Sequence, residues 1–155
     1  MNIETLQTLG QGYFWQDLKK GQRFKTYRRT VTESDLVGFI NCTGMLEAIF
    51  IDAEYSSRFG AIKGRLVPAA LTYGLIEGML FQTMIQGTGL AMLELQQQAL
   101  SPVLVGDSIW ATVEVIDVKP TSKENRAVVT SQVDVFNQRD DAVLTYRILR
   151  LLAGR

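Results

Sequence analysis

The segment from Pro68 to Gln86 constrains the fold of this chain more than any other part of the sequence. Pro68 stands at a plausible first helical position, and the apolar side chains that follow occupy most of a helix circumference: Leu71, Leu75, Ile76, Met79, Leu80, Phe81 and Met84. A helix that is apolar on nearly all sides must be covered by other parts of the protein. A membrane span is not expected, because polar residues interrupt the run before it reaches the roughly 18 apolar residues that a span needs.

The second half of the chain has the pattern of β-strands. Four β-rich runs lie at about residues 89–100, 108–119, 126–136 and 142–152, and turn-forming stretches rich in Gly, Pro, Asn, Asp or Ser separate them. These runs predict an antiparallel meander. Because one long apolar helix precedes the strands, we expect an α+β fold in which an antiparallel β-sheet wraps around a long central helix.

The first half of the chain predicts one further strand and one further helix. The strand is expected at residues 23–31. Thr32 followed by Asp35 resembles a capping box, which opens a helix that Gly44 ends. With 155 residues, no low-complexity linker and no internal repeat, residues 1–155 are expected to form a single domain.

The charge and the rare residue types exclude several functions. Sixteen Lys and Arg balance sixteen Asp and Glu, so no net field attracts nucleic acid, and none is expected as a partner. The chain contains no histidine and one cysteine, which excludes histidine-dependent catalysis and a multi-thiolate zinc site. We expect no metal and no cofactor. Cys42 is expected to be a small buried apolar residue.

The beginning of the chain does not resemble a secretory signal. Glu4 stands where a basic start would be expected, and no continuous apolar run follows it. A cytoplasmic location is therefore the expectation.

Several segments, taken in their order, are similar to the MaoC-like dehydratase family. They read GYFWQDLKKGQRF, TVTESDLVGFINCTG, IDAEYSSRFGAIKGRLVPAALTYGL and SPVLVGDSIWATVEVIDV, and the resemblance extends from about residue 12 to the C-terminus. It implies a hotdog fold that forms a homodimer or a higher oligomer. It also implies a pocket between protomers that takes an acyl-CoA or acyl-carrier thioester, with the acyl chain beside the central helix.

The loop that carries catalysis in this family departs from its usual form here. The family pattern is Thr-Gly-Asp-x-Asn-Pro-x-His-x-Asp, whose Asp and His activate a water for addition to an enoyl thioester. By this resemblance Met45 stands at the position of the Asp and Phe50 at that of the His, and neither side chain can exchange a proton. Glu47 stands at the Asn position and Asp52 at the closing Asp. Hydration of enoyl thioesters is therefore expected to be negligible.

The start of the central helix provides candidate substrate-binding groups. The family has His-Gly there, and this chain has Pro68-Ala69. The free amides of Ala69 and Ala70 could donate to a thioester carbonyl, or this segment could simply begin a buried helix. Tyr73 and Phe81 could line an acyl pocket, but core packing is the preferred assignment for both.

Glu47 is the one candidate catalytic residue, because it is the only ionisable residue between Gly44 and Ile51. Burial in that apolar run would make its carboxyl a usable acid or base; alternatively it is exposed, or paired with Arg58, Lys63 or Arg65. Asp52, Glu54 and Tyr55 are expected to cap or pack the next helical turn. Three functions remain open: a thioester enzyme with rearranged chemistry, such as an acyl-CoA thioesterase using Glu47; a thioester-binding protein that has lost catalysis; and a non-catalytic partner subunit of a heteromeric hotdog assembly. The first two are preferred.

Overall fold

The computed structural model describes residues 3–155, which form four α-helices and eight β-strands. The helices are α1 (Glu33–Thr43), α2 (Ala48–Ile51), α3 (Tyr55–Arg58) and α4 (Ala69–Thr83). The strands are β1 (Arg23–Lys25), β2 (Arg29–Thr30), β3 (Leu66–Val67), β4 (Gly89–Ala99), β5 (Val103–Leu104), β6 (Ser108–Pro120), β7 (Arg126–Phe136) and β8 (Ala142–Ala153). Short 3-10 helices lie at Ile3–Thr5 and Trp15–Asp17.

One antiparallel sheet dominates the structure, with the strand order β1-β6-β7-β8-β4 and with β2 also paired to β6. The four strands predicted in the second half of the chain are confirmed almost residue for residue. The predicted meander holds for β6, β7 and β8, but β4 pairs with β8 and not with β6. The intervening segment leaves this sheet, since β5 pairs with β3 in a separate two-stranded sheet.

The single strand predicted at residues 23–31 is two strands. Both β1 and β2 pair with β6, and the chain advances from Lys25 to Arg29 while its partner advances only from Thr112 to Ile109. One extra residue therefore interrupts the ladder, as in a β-bulge. At the interruption the Oγ1 of Thr26 accepts a hydrogen bond from the backbone N–H of Ala111, at 2.9 Å.

The long apolar helix is confirmed as α4, which packs against β6 and β8. It is shorter than the predicted 68–86 segment, and Pro68 is its N-cap residue. Four of its apolar residues and its C-cap residue Met84 are in the core, which they share with inward-facing residues of the sheet: Leu71, Leu75, Ile76, Leu80 and Met84 with Val113, Val133 and Ile148. The α+β class, with an antiparallel sheet around a long helix, is confirmed.

The covering of α4 is incomplete in the protomer. Phe81 is 54% exposed, which overturns the expectation that it packs in the core. Ala70 and Gly74 are also exposed and Gly78 is half-buried, so small residues line the open side of the helix. No helix among residues 3–155 is long and apolar enough to cross a membrane.

Helix α1 follows the prediction closely, but Cys42 does not. Thr32 accepts a hydrogen bond from Asp35 N–H at 3.2 Å, Asp35 accepts one from Thr32 N–H at 2.8 Å, and Gly44 ends the helix in the left-handed conformation at φ 72. The buried residues of α1 are Leu36 and Ile40. Cys42 lies two positions beyond Ile40, on a different face, and is exposed. The prediction of a buried thiol was wrong.

Candidate functional site

A cavity of about 340 Å³ lies at the N-terminus of α4. Its walls come from α2, the β3–β5 pair, the first turn of α4 and the adjoining ends of β4 and β8. The lining residues are Phe50, Ile62, Leu66, Val67, Pro68, Ala69, Thr72, Ala99, Leu100, Ser101, Pro102, Val103, Val143 and Leu144. None of these side chains ionises, so the cavity is an apolar space next to a helix N-terminus.

The first turn of α4 presents free donors at this cavity. The N–H groups of Leu71 and Thr72 both donate to the carbonyl of Pro68, at 3.0 and 3.1 Å. The N–H groups of Ala69 and Ala70 have no acceptor among the described residues. The positive end of the helix dipole and these two donors favour an oxygen that carries negative charge.

Thr72 adds an unusual polar atom to the same turn. Its side chain lines the cavity and is 1% exposed, and its Oγ1 has no hydrogen-bond partner in the described part of the chain. Buried hydroxyls without a partner are uncommon in folded proteins. The first turn of α4 is thus the place where unsatisfied polar groups meet an apolar cavity.

The loop between α1 and α3 contains the residues that were compared with the catalytic loop of the family. These residues differ in how deeply they are buried. Phe50, in α2, packs against the core and lines the cavity. Met45 directly follows Gly44, is 37% exposed and does not line the cavity. Arg65 holds this loop against α1, because its guanidinium binds Glu33 at 2.8 Å and donates to the carbonyl of Phe50.

Glu47 is exposed and serves as the N-cap of α2. Its carboxylate accepts a hydrogen bond from the N–H of Ile49 at 2.8 Å. Neither burial nor pairing with Arg58, Lys63 or Arg65 is found; Arg65 pairs with Glu33 instead. Glu47 is not among the residues that line the cavity, although it stands three residues before Phe50.

The residues after α2 have the local role that was expected of them. The Asp52 carboxylate accepts a hydrogen bond from Glu54 N–H at 2.9 Å, and the Asp52 carbonyl accepts one from Tyr55 N–H at 3.2 Å. Tyr55 begins α3, and its ring contacts that of Phe59. These residues organise the turn and do not line the cavity.

A second polar group of residues lies between α4 and β8, and sequence reasoning missed it. Glu77 and Arg150 form a salt bridge with both side chains 8% exposed. The hydroxyl of Tyr146 donates to the other carboxylate oxygen of Glu77 at 2.6 Å. The ring of Tyr73 meets that of Tyr146 edge-on, with centroids 5.1 Å apart. We call Tyr73, Glu77, Tyr146 and Arg150 the polar cluster.

The polar cluster disfavours ionisation of its two tyrosines. Burial, and next the negative charge of Glu77, raise the pKa of Tyr146 far above its usual value. The same two causes, in the same order, raise the pKa of Tyr73. Both phenols are therefore hydrogen-bond donors at every physiological pH.

A cavity of about 330 Å³ borders the polar cluster. Tyr73, Glu77 and Arg150 form its polar part, and its apolar part comes from the end of α4 and the start of β4: Phe81, Ile85, Gly89, Leu90, Ala91 and Met92. Of the predicted substrate-binding residues, Ala69 therefore lies at the first cavity and Tyr73 at the second. Ala70 lines neither, although its amide lies in the same helical turn as Ala69.

One signal in the sequence could have revealed the polar cluster. Glu77 is the only charged residue of α4, and Arg150 stands among Ile148, Leu149, Leu151 and Leu152. Charges of opposite sign inside largely apolar segments rarely stay buried unless they are paired.

The chain resembles proteins that act on CoA thioesters. The model of the MaoC like domain matches residues 17–137. The 3-hydroxybutyryl-CoA dehydratase of Methylorubrum extorquens is 28% identical over 122 residues, which cover 77% of this chain and 74% of that protein.

Solved structures show the same fold. The MaoC-like dehydratase of Rhodospirillum rubrum superposes with a TM-score of 0.79 at 23% identity, covering 93% of this chain and 99% of that one. A Mycobacterium tuberculosis protein with a double hotdog fold superposes with a TM-score of 0.84 at 17% identity, covering 93% of this chain and 45% of that one. The expected hotdog fold is thus confirmed, and with a family match over residues 17–137 this chain belongs to the MaoC-like domain family.

Proposed function

We propose that this protein binds acyl-CoA or acyl-carrier thioesters in the cavity at the N-terminus of α4, without hydrating them. The observation that carries this proposal is the combination found there: the free amide donor of Ala69, with that of Ala70 in the same helical turn, beside an apolar space lined by no ionisable side chain. A thioester carbonyl needs the donors, and its acyl chain needs the apolar walls. The relationship to a 3-hydroxybutyryl-CoA dehydratase supports a CoA thioester as the ligand.

The absence of hydration is inferred from the groups that the reaction requires. Adding water to an enoyl thioester moves one proton from the water and delivers one to the acyl chain, and general acid–base catalysis commonly contributes about 10²–10⁴-fold per group. In our comparison with the family pattern, Met45 and Phe50 replace both groups. We therefore expect no measurable loss of enoyl absorbance with crotonyl-CoA, while titration calorimetry shows that acyl-CoAs bind.

The role of the α4 amides is tested by deleting one of them. Ala69→Pro removes the N–H at the first helical position, where proline is well tolerated and where no internal hydrogen bond is lost. We expect affinity for acyl-CoA to fall about three- to tenfold, the effect of one hydrogen bond. Ala69→Ser keeps the amide and serves as the matched control. Equal binding by wild type and Ala69→Pro would contradict the assignment.

A thioesterase that uses Glu47 is the second candidate, favoured by the position of Glu47 at the start of the short helix whose Phe50 lines the cavity. In that reaction Glu47 takes a proton from water, and the water oxygen forms a bond to the thioester carbonyl carbon. The C–S bond then breaks, and the leaving thiolate receives the proton from Glu47, which yields a carboxylic acid and a free thiol. Glu47→Gln removes the base and can still cap α2. Release of free thiol that falls at least about 10²-fold in this variant, but not in Glu54→Gln, would establish hydrolysis and overturn purely non-catalytic binding.

A non-catalytic subunit of a heteromeric hotdog assembly is the remaining alternative from the sequence. Such a subunit would co-purify with a second hotdog protein that carries the Asp and His. Activity would then appear only in the mixed assembly. A purified protein that forms only homo-oligomers and binds acyl-CoA by itself argues against this alternative.

A further inference from the structure

The two cavities are lined by the same three elements, α4, β4 and β8. Helix α4 contributes Ala69 and Thr72 to the first cavity and Tyr73, Glu77 and Phe81 to the second. Strands β4 and β8 also line both cavities, with opposite ends of each strand. At about 1.5 Å of rise per residue, Glu77 lies about 12 Å along α4 from Ala69. An acyl chain whose carbonyl is held at Ala69 and which runs along α4 would place its far end at the second cavity.

The second cavity offers hydrogen-bond donors that the protein itself does not use. Arg150 donates through Nη2 to Glu77, and no acceptor among residues 3–155 is found for its Nε and Nη1 or for the hydroxyl of Tyr73. These atoms are not fully buried, because among residues 3–155 the fully buried side-chain polar atoms without a partner belong to Thr72 and Thr88. Both Arg150 and Tyr73 line the cavity.

The charge of the polar cluster indicates which kind of ligand oxygen the second cavity can accept. Glu77 already matches the positive charge of Arg150, and both carboxylate oxygens of Glu77 are occupied, by Arg150 and Tyr146. A ligand carboxylate would add an unmatched negative charge beside Glu77 in a mostly apolar cavity, which is unfavourable. A hydroxyl or keto oxygen needs only the free donors. A purely hydrocarbon end would leave those donors without partners.

We propose that the cavity beside Tyr73, Glu77 and Arg150 receives the far end of the acyl group and selects acyl thioesters that carry a neutral oxygen there, either a hydroxyl or a keto group. This inference rests on the proposed binding of acyl thioesters at the start of α4. It adds the substrate class, since apolar lining alone would accept any acyl chain of suitable length.

The test compares three ligands of one chain length by titration calorimetry with the native protein: octanoyl-CoA, ω-hydroxyoctanoyl-CoA and the ω-carboxylated analogue. We expect the hydroxylated ligand to bind about tenfold more tightly than octanoyl-CoA and the carboxylated one to bind most weakly. Equal binding of the first two, or tightest binding of the carboxylated ligand, overturns this inference and leaves the proposed function standing. No binding by any of the three overturns both.

Removing the hydroxyl of Tyr73 alone gives a variant that tests this donor. Tyr73→Phe removes a donor that has no partner within the described chain, and it keeps the ring that packs on Tyr146. We expect the preference for the hydroxylated ligand to fall about three- to tenfold. Tyr27→Phe is the control, because Tyr27 is 93% exposed and lines neither cavity. An unchanged preference in folded Tyr73→Phe contradicts the role of this hydroxyl.

Discussion

Glu77 carries a charge in the middle of the helix that the sheet surrounds, and its position is tolerated only because Arg150 and Tyr146 meet it. The two charges come from elements 73 residues apart in sequence. Taking both out of water costs several kcal/mol per ion, which a close pair with further hydrogen bonds can offset. The pair therefore contributes little net stability, whereas losing one member leaves an unmatched buried charge.

This asymmetry predicts the effect of single and double substitutions. Arg150→Met is expected to lower the free energy of unfolding by about 3–5 kcal/mol, because it leaves the buried Glu77 without its cationic partner. Adding Glu77→Gln removes that charge and keeps an acceptor for Tyr146, so the double variant should recover a large part of the loss. Urea unfolding of the wild type, both single variants and the double variant measures the coupling. Additive losses would show that the two charges do not act as a pair.

At the scale of elements, α1 begins with reciprocal hydrogen bonds between Thr32 and Asp35. The backbone N–H of Thr32 is the main cause of the lowered pKa of Asp35, and Arg29, 2.7 Å away, lowers it further. A carboxyl whose pKa is lower in the folded state stabilises the fold above its unfolded pKa. That stability is lost as the pH falls through the lowered folded value.

Two variants test the start of α1. Thr32→Ala should lower the free energy of unfolding by about 1 kcal/mol, because an N-cap hydrogen bond is lost. Asp35→Asn should be less stable than the wild type at neutral pH, and the difference should shrink as the pH drops below the usual Asp value of 3.8. Denaturant unfolding at several pH values checks both. A difference that grows toward low pH would contradict the role given to the Asp35 carboxylate.

At the scale of the whole molecule, one edge of the sheet is uncovered in the protomer. All of β4 except Leu95 is exposed, including the apolar Leu90, Met92 and Leu93, and among the strands that the structure describes only β8 pairs with it. The open side of α4, with Ala70, Gly74 and Phe81, is exposed as well. Long apolar edge strands seldom remain free in native proteins. The dimer expected from the sequence remains a prediction, and β4 is the surface that it would cover.

Disruption of β4 should therefore change the mass in solution. The wild type is expected to be at least a dimer by light scattering at micromolar concentration, and Leu93→Lys should shift it toward the monomer of 17.3 kDa. Tyr27→Lys places the same charge near β1, at the opposite edge of the sheet, and should leave the dimer intact. A monomeric wild type, or dissociation caused equally by both variants, would exclude β4 as the interface.

Local patterns in the sequence were enough to predict most of the fold. The apolar circumference of α4, the alternating runs that became β6, β7 and β8, and the Thr32–Asp35 box are properties of neighbouring residues, so they could be read without knowing the tertiary structure. The absence of histidine and the family resemblance likewise limited the chemistry. These features identified the α+β hotdog class and the start of α4 as a candidate binding site. The single-domain organisation stays a prediction.

Only the tertiary structure decided which of the candidate residues meet one another. Strand register turns Arg150 inward onto Glu77, and no local pattern contains that pairing because it joins α4 to β8. The tertiary structure also decided which side chains are exposed to solvent. Cys42 and Phe81 are exposed because of the faces of α1 and α4 on which they lie, and Glu47 is exposed at the N-cap of α2. Composition determines which side chains can be buried, but packing between elements that are distant in sequence determines which ones are.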